Sequence, residues 1–185
     1  MNWIAVFSQS GKEIADIIDL TGIKPLAIIS HGPIDKSIDS RLEEYMIVHA
    51  INKEKVESAI ELAKSILHPE VVEIVTLHGY LRIISPEICN IGIPIYNGHP
   101  APIHLYPELK GKDKQEDQFI YKDKYPRIGS VIHKVIAELD AGEIILSKDI
   151  ENNLTSIDDA YNTLRSVSLE LWIDFFNKEL YKEKK

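Results

Sequence analysis

The sequence predicts an α/β fold: a doubly wound, mostly parallel sheet that ends in an antiparallel strand pair and a closing helix. Three observations carry that expectation. Short apolar runs alternate with amphipathic stretches through roughly the first half of the chain, the pattern of strands joined by helical crossovers. The runs are nearly continuous in apolar residues, as strands buried on both faces are. Two β-rich segments late in the chain are separated by a connection too short for a parallel crossover.

Taken in order, NWIAVFS at 2–8 is the first strand. Across Lys12–Leu20, Ile14, Ile17 and Ile18 share one helical face while Lys12, Glu13, Asp16 and Asp19 take the other. PLAIIS at 25–30 and MIVHA at 46–50 are the next two strands. Residues 53–67 form an amphipathic helix with Val56, Ile60, Ala63 and Leu67 in one stripe. VVEIVTL at 71–77 and IPIYN at 93–97 follow as strands. Residues 100–128 are rich in Pro and Lys without clear periodicity and read as a long functional loop. GSVIHKVI at 129–136 and EIILSKDI at 143–150 pair across AELDAG. Ser156 with Asp159 reads as a capping box for the last helix, whose apolar stripe is Ala160, Leu164, Val167 and Leu171. No repeat or linker divides the sequence, so residues 1–185 are expected to form one domain.

Composition narrows the function. With 44% hydrophobic and 27% charged residues the chain is a folding one, not a disordered one. It has no apolar run near the roughly 20 residues a bilayer demands, and no signal-like N-terminus. The lone Cys89 fits a reducing, cytoplasmic setting. Net charge is −8, and the lysines of 110–124 are interleaved with Asp113, Glu116, Asp117 and Asp123. That leaves no basic face for a phosphate backbone. Neither nucleic acid nor membrane is expected as a partner; a small molecule is, with a homodimer left open.

Asn97, Gly98 and His99 close an apolar strand, where α/β sheets place their ligands. An Asn amide can donate to an oxyanion and a His can move a proton, and Gly98 leaves room for a substrate to approach the backbone. The same triplet also suits an ordinary turn. Asp140 sits in a strand reversal, either as a turn former or as the partner that orients His99. His133 reads as a half-buried strand histidine with a backbone partner. Ser8 to Lys12 lies between strand and helix, where amides hold anions, but its single glycine is no dinucleotide or P-loop fingerprint. His99, His104 and His133 lack metal-type spacing, and there is no nucleophile elbow.

VVEIVTLHGYLRIISPE, IPIYNGHPA and GSVIHKVIAELDAGEII together resemble successive signatures of the folate-dependent formyltransferases. In length the chain is nearest the phosphoribosylglycinamide branch of that family. The resemblance implies a Rossmann-like sheet, 10-formyltetrahydrofolate as co-substrate, a small-molecule amine as acceptor, and neither metal nor covalent intermediate. It implies that Asn97 holds the formyl oxygen, that His99 handles the amine proton, and that Asp140 pairs with His99. Leu81, Arg82, Ile83 and Ile84 then line the pterin, with Glu138, Leu139 and Ala141 of the 138–142 loop as the facing wall. Ser10, Gly11, Lys12 and Arg165 fall on the acceptor side.

Departures from the family sit on that same side. Its Gly-Asn-Gly-Ser-Asn phosphate loop is replaced by Gln9-Ser10-Gly11-Lys12-Glu13, in which Glu13 would repel a phosphate. The family's acidic contact to the substrate amine falls on Ser168. Amino-sugar nucleotide formyltransferases and a non-catalytic folate-binding module of the same fold are the alternatives. Methionyl-tRNA formyltransferases and formyltetrahydrofolate hydrolases share the reaction centre but add domains not expected here.

Overall fold

The computed structural model describes residues 1–66 and 72–182. The strands are β1 (Trp3–Phe7), β2 (Ala27–His31), β3 (Ile47–Ala50), β4 (Ile74–His78), β5 (Ile95–His99), β6 (Arg127–Lys134) and β7 (Ile144–Glu151). The helices are α1 (Lys12–Thr21), α2 (Lys53–Ile66), α3 (Pro86–Cys89), α4 (Lys114–Ile120) and α5 (Ile157–Lys182). All seven strands join one sheet in the order β3-β2-β1-β4-β5-β6-β7. The pairs from β3 through β5 are parallel, and β6 and β7 add antiparallel. Two expected positions, Leu67 in the helical stripe and Val71 at the start of a strand, lie outside the described residues.

Alternation along β1 shows how the sheet is covered. Trp3, Ala5 and Phe7 point into a core with α1 and α5, including Ile14, Ile17, Trp172 and Phe176. Ile4 and Val6 point the other way, onto Val56 and Ile60 of α2 and Ile88 of α3. Both faces being dry explains why the inner parallel strands β1, β2 and β4 read as apolar runs, whereas the edge strand β3 exposes Val48 and His49. The sequence order reverses between β1 and β4, with crossovers on opposite faces, so a crevice opens at the carboxyl ends of the central strands.

Ser156 does cap α5, its Oγ accepting from the Asp159 N–H at 3.0 Å. The return bond goes to Thr155 rather than to Ser156, since Asp159 accepts from the Thr155 N–H at 2.9 Å. The stripe of Ala160, Leu164, Val167 and Leu171 is buried as expected, and it continues through Trp172, Phe175 and Phe176.

Residues 100–128 depart from the expected loop. They hold a 3-10 turn at Pro107–Leu109 and the helix α4. Ala101, Ile103, Leu109 and Tyr125 pack with Val131 of β6 into a small core of their own. The one side chain α4 buries is Gln118, whose Nε2 donates to the Pro100 and Lys114 carbonyls at 2.9 and 2.8 Å. A helix anchored by a hydrogen-bonded amide carries no apolar periodicity, so the sequence pattern missed it.

Candidate active site

Asn97 and His99 are the third and last residues of β5, so both side chains leave the same face of the strand. Gly98 between them faces α5. A Cβ there would stand 2.7 Å from Trp172 Nε1, so its lack of a side chain serves helix packing, while Gly98 also borders the cavity described below. Asn97 is paired across the ladder with His133 of β6. Asp140 comes from the turn between β6 and β7 and holds a left-handed φ of 48°. Short polar residues tolerate that conformation best, and its cost belongs to sites held by their surroundings. Gly142 ends the turn so close to β6 that a Cβ would overlap the Lys134 carbonyl at 1.7 Å.

These elements bring four polar side chains together. His99 Nδ1 lies 3.5 Å from Asp140 Oδ2, and His133 Nε2 lies 3.4 Å from Asp140 Oδ1. Asn97 Nδ2 is 3.2 Å from His133 Nε2. His99 Nε2 donates to the Leu109 carbonyl at 2.8 Å, and the Gly111 N–H donates to Asp140 Oδ2 at 2.9 Å. The Pro107–Gly111 stretch is therefore tied to both members of the His–Asp pair. Ser130 supports the strand end by donating to the His99 carbonyl at 2.8 Å.

Burial pushes the His99 imidazole below its ordinary value, against the pull of the Asp140 charge. Burial alone would raise the Asp140 carboxyl, but His133 and His99, whenever either ring takes a proton on its Asp140 side, and the Gly111 amide at all times outweigh it and hold the group below its ordinary value. The pair therefore rests as a neutral imidazole beside an ionised carboxylate. Its Nε2 proton is fixed on a backbone carbonyl, and the bare Nδ1 is free to take a proton. An Asp so placed stabilises the imidazolium that results.

A cavity of 540 Å³ opens above this centre and is bordered by Asn97, His99 and Asp140, a size that holds a drug-sized ligand. Leu81, Arg82, Ile83 and Ile84 line it, as do Glu138 and Leu139. Leu81, Ile83 and Leu139 are about half exposed, at 47%, 52% and 48%, an apolar surface awaiting cover. Ala141 is not part of the lining; its N–H closes the turn on the Glu138 carbonyl at 3.4 Å. Gln9 and Tyr80 also border the cavity, as do Lys53, Lys112 and Gln115. The last three were missed in the sequence: no short motif marks them, because they come from the start of α2, the connection before α4 and α4 itself.

The acceptor-side residues are arranged differently. Ser10, Gly11, Lys12 and Arg165 do not border the cavity, whose wall stops at Gln9. Lys12 and Arg165 meet instead at Asp16, at 3.2 and 2.7 Å, and Arg41 joins them at 2.8 Å. Arg41 also pairs with Asp39 at 2.7 Å, whose carboxyl it holds down at about 2. Glu13 accepts from Ser168 Oγ at 2.7 Å and contacts His78 Nδ1 at 2.8 Å. Among the described residues, no group of three or more His, Cys, Asp or Glu side chains is arranged to hold a metal ion. No helix among them is long and apolar enough to cross a membrane.

The doubly wound sheet with an Asn, a His and an Asp at its carboxyl edge defines a class: the chain belongs to the formyl transferase family, whose sequence profile its residues 4–171 match. Enzymes of this class are folate-dependent and carry a formyl group from a formyl-folate to an amine. Among individual relatives, the chain is 30% identical over 146 residues to phosphoribosylglycinamide formyltransferase of Dictyostelium discoideum, covering 72% of this chain and 70% of that protein. It is 29% identical over 152 residues to methionyl-tRNA formyltransferase of Thermotoga maritima, covering 81% of this chain but 45% of that protein. The crystal structure of phosphoribosylglycinamide formyltransferase from Bacillus halodurans superposes with a TM-score of 0.78 at 21% identity, over 98% of this chain and 96% of that one.

Proposed function

We propose that this protein formylates the primary amine of a small acceptor of the phosphoribosylglycinamide kind, with 10-formyltetrahydrofolate as donor and Asn97, His99 and Asp140 as the working side chains. The observation that carries the reading is that those three groups border one 540 Å³ cavity, which Leu81, Ile83 and Leu139 also line, with His99 3.5 Å from Asp140. The lining offers a flat aromatic ring with polar edges both apolar surface, from Leu81, Ile83 and Leu139, and polar groups, from Arg82 and Glu138.

The folate supplies an activated formyl carbon next to the amine. Asn97 donates an amide hydrogen to the formyl oxygen, where negative charge grows during attack. His99 accepts the proton of the attacking amine at Nδ1, and Asp140 at 3.5 Å stabilises the resulting cation. The tetrahedral adduct then collapses as its bond to folate N10 breaks, and N10 takes up that proton, releasing tetrahydrofolate and the formylated amine. Leu109 keeps the ring from turning by holding its Nε2 proton. None of these steps draws on a metal. Closing the amine and the formyl group into one cavity supplies the rest through orientation.

The ion pairs at Asp16 favour a second reading of the acceptor. With Lys12 and Arg165 already engaged by Asp16 and Glu13 at the start of α1, an amino-sugar nucleotide whose phosphates lie elsewhere suits the same centre. Ten-formyltetrahydrofolate offered with phosphoribosylglycinamide, an amino-sugar nucleotide, or no amine tests both readings. Amine-dependent loss of the formyl group with the first supports the main reading, and with the second alone the alternative. Tight folate binding without turnover for any amine leaves a folate-binding module.

A further inference from the structure

We infer that His133 is a positioning residue of the reaction centre: held in one tautomer by a backbone carbonyl, it accepts a hydrogen bond from Asn97 and so fixes which end of that carboxamide meets the substrate. The inference rests on the formyl-transfer reading above for its kinetic consequence, and on geometry alone for the tautomer.

His133 is 2% exposed and stands opposite Asn97 in the antiparallel β5–β6 ladder. The β6–β7 register shifts between Ile132 and His133, the kind of irregularity that re-aims a side chain. Its Nδ1 lies 3.1 Å from the Lys134 carbonyl. A carbonyl only accepts, so Nδ1 carries the proton. A neutral ring then leaves Nε2 bare, and the nearest donor is Asn97 Nδ2 at 3.2 Å. Asp140 Oδ1 is farther from that nitrogen, at 3.4 Å, and can be served only if Nε2 gains a second proton.

One nitrogen thus faces a donor and an acceptor and can satisfy one of them. In the neutral ring it satisfies Asn97: one amide hydrogen is pinned on His133, and the second is left to point at the formyl oxygen. With an imidazolium the order reverses. Nε2–H turns to Asp140, and Asn97 must present its carbonyl to the ring or lose its anchor. A carboxamide that can rotate offers the growing oxyanion a lone pair part of the time. Fixing it removes that state.

The test combines two variants with a spectrum. His133→Leu removes the acceptor, while His133→Gln keeps an oxygen acceptor near the Nε2 position. We expect His133→Leu to lower kcat by about 10²-fold, the size of losing one oriented donor. Its KM for 10-formyltetrahydrofolate stays within about twofold, as for an interaction made only in the transition state. His133→Gln should recover most of that loss. In the wild-type protein at neutral pH, imidazole nitrogen-15 resonances should show His133 with a protonated Nδ1 and a bare Nε2. The Nε2 signal should move in Asn97→Ala. An Nε2–H tautomer or an imidazolium there overturns the inference, as does equal impairment of both variants with a lowered unfolding temperature, which marks a packing role. The spectrum decides the question even if His133→Leu does not fold. Because it needs no turnover, it also separates failure here from failure of the proposed activity.

Discussion

His99 turns Nδ1, not Nε2, toward the Asp140 carboxylate, at 3.5 Å, because the Leu109 carbonyl occupies Nε2 at 2.8 Å. Which nitrogen can move a proton is therefore decided by a backbone atom in the Pro107–Leu109 turn. The arrangement needs the ring neutral before the amine arrives. Burial supplies that neutrality.

The acid limb of the pH profile follows from this. His99 titrates below its ordinary 6.5, so the free enzyme should keep its activity below that pH and lose it only as the ring protonates. Asp140→Asn removes the charge that opposes the shift, so the limb should move to still lower pH while the rate drops by about 10²–10⁴, the range for a displaced general base. A pH series of kcat/KM on both proteins measures it. A limb that stays in place or moves up counts against the pairing. Stability shares the sign: a depressed His pKa contributes fully above 6.5 and is lost as pH falls from there through the folded value.

Asn97→Ala should lower kcat by about 10²–10³ and also cost about 1–3 kcal/mol of stability, since it removes the donor that buried His133 Nε2 accepts from. Single-turnover kinetics with saturating folate isolate the chemical step. An unaltered rate would remove Asn97 from the centre.

Gly98 should tolerate no side chain. Its Cβ would meet the Trp172 indole nitrogen at 2.7 Å, and that nitrogen is buried with no hydrogen-bond partner among the described residues. Gly98→Ala should cost about 1–3 kcal/mol through overpacking, read from urea melts, with a shift in Trp fluorescence. An equally stable variant would show that α5 can slide away from the strand.

How much of this was legible in the sequence depended on what holds each part. Parallel strands dry on both faces leave a compositional trace, and so the strands and the long closing helix could be placed from their apolar patterns. The helix α4 left none, since Gln118 anchors it. Asn97, His99 and Asp140 were findable as a motif, but the packing role of Gly98 was not, because it depends on Trp172 arriving from α5. His133 could only be read as a strand histidine until the β5–β6 register set it opposite Asn97. The Asp16 cluster draws on α1, on the connection after β2 and on α5, and spacing along the chain cannot show such a meeting.

That cluster makes the acceptor side testable. If Lys12 and Arg165 hold the acceptor's anion, it must compete with Asp16 for them. Asp16→Asn should then lower the acceptor KM by about threefold to tenfold, or up to about 1.4 kcal/mol, and leave the folate KM alone. Stability should change by no more than about 1 kcal/mol, as for exposed ion pairs. A raised acceptor KM would show that the cluster is scaffolding and that the anion, if there is one, binds elsewhere.

The apolar rim separates folding from binding most cleanly. Leu81 and Leu139 are 47% and 48% exposed before any ligand arrives, so replacing either removes little of the core and should move stability by about 0.5 kcal/mol or less. A ligand that covers them buries that same surface, at about 25 cal/mol per Å² of apolar area. Leu139→Ser should therefore raise the Kd for 10-formyltetrahydrofolate by about tenfold, a loss near 1.4 kcal/mol, with an unchanged melting temperature. Calorimetric titration of the folate into both proteins reads it directly, with a smaller heat-capacity change expected in the variant. Equal affinity would place the pterin away from this wall, and a lowered melting temperature would show that Leu139 belongs to the fold and not to the ligand.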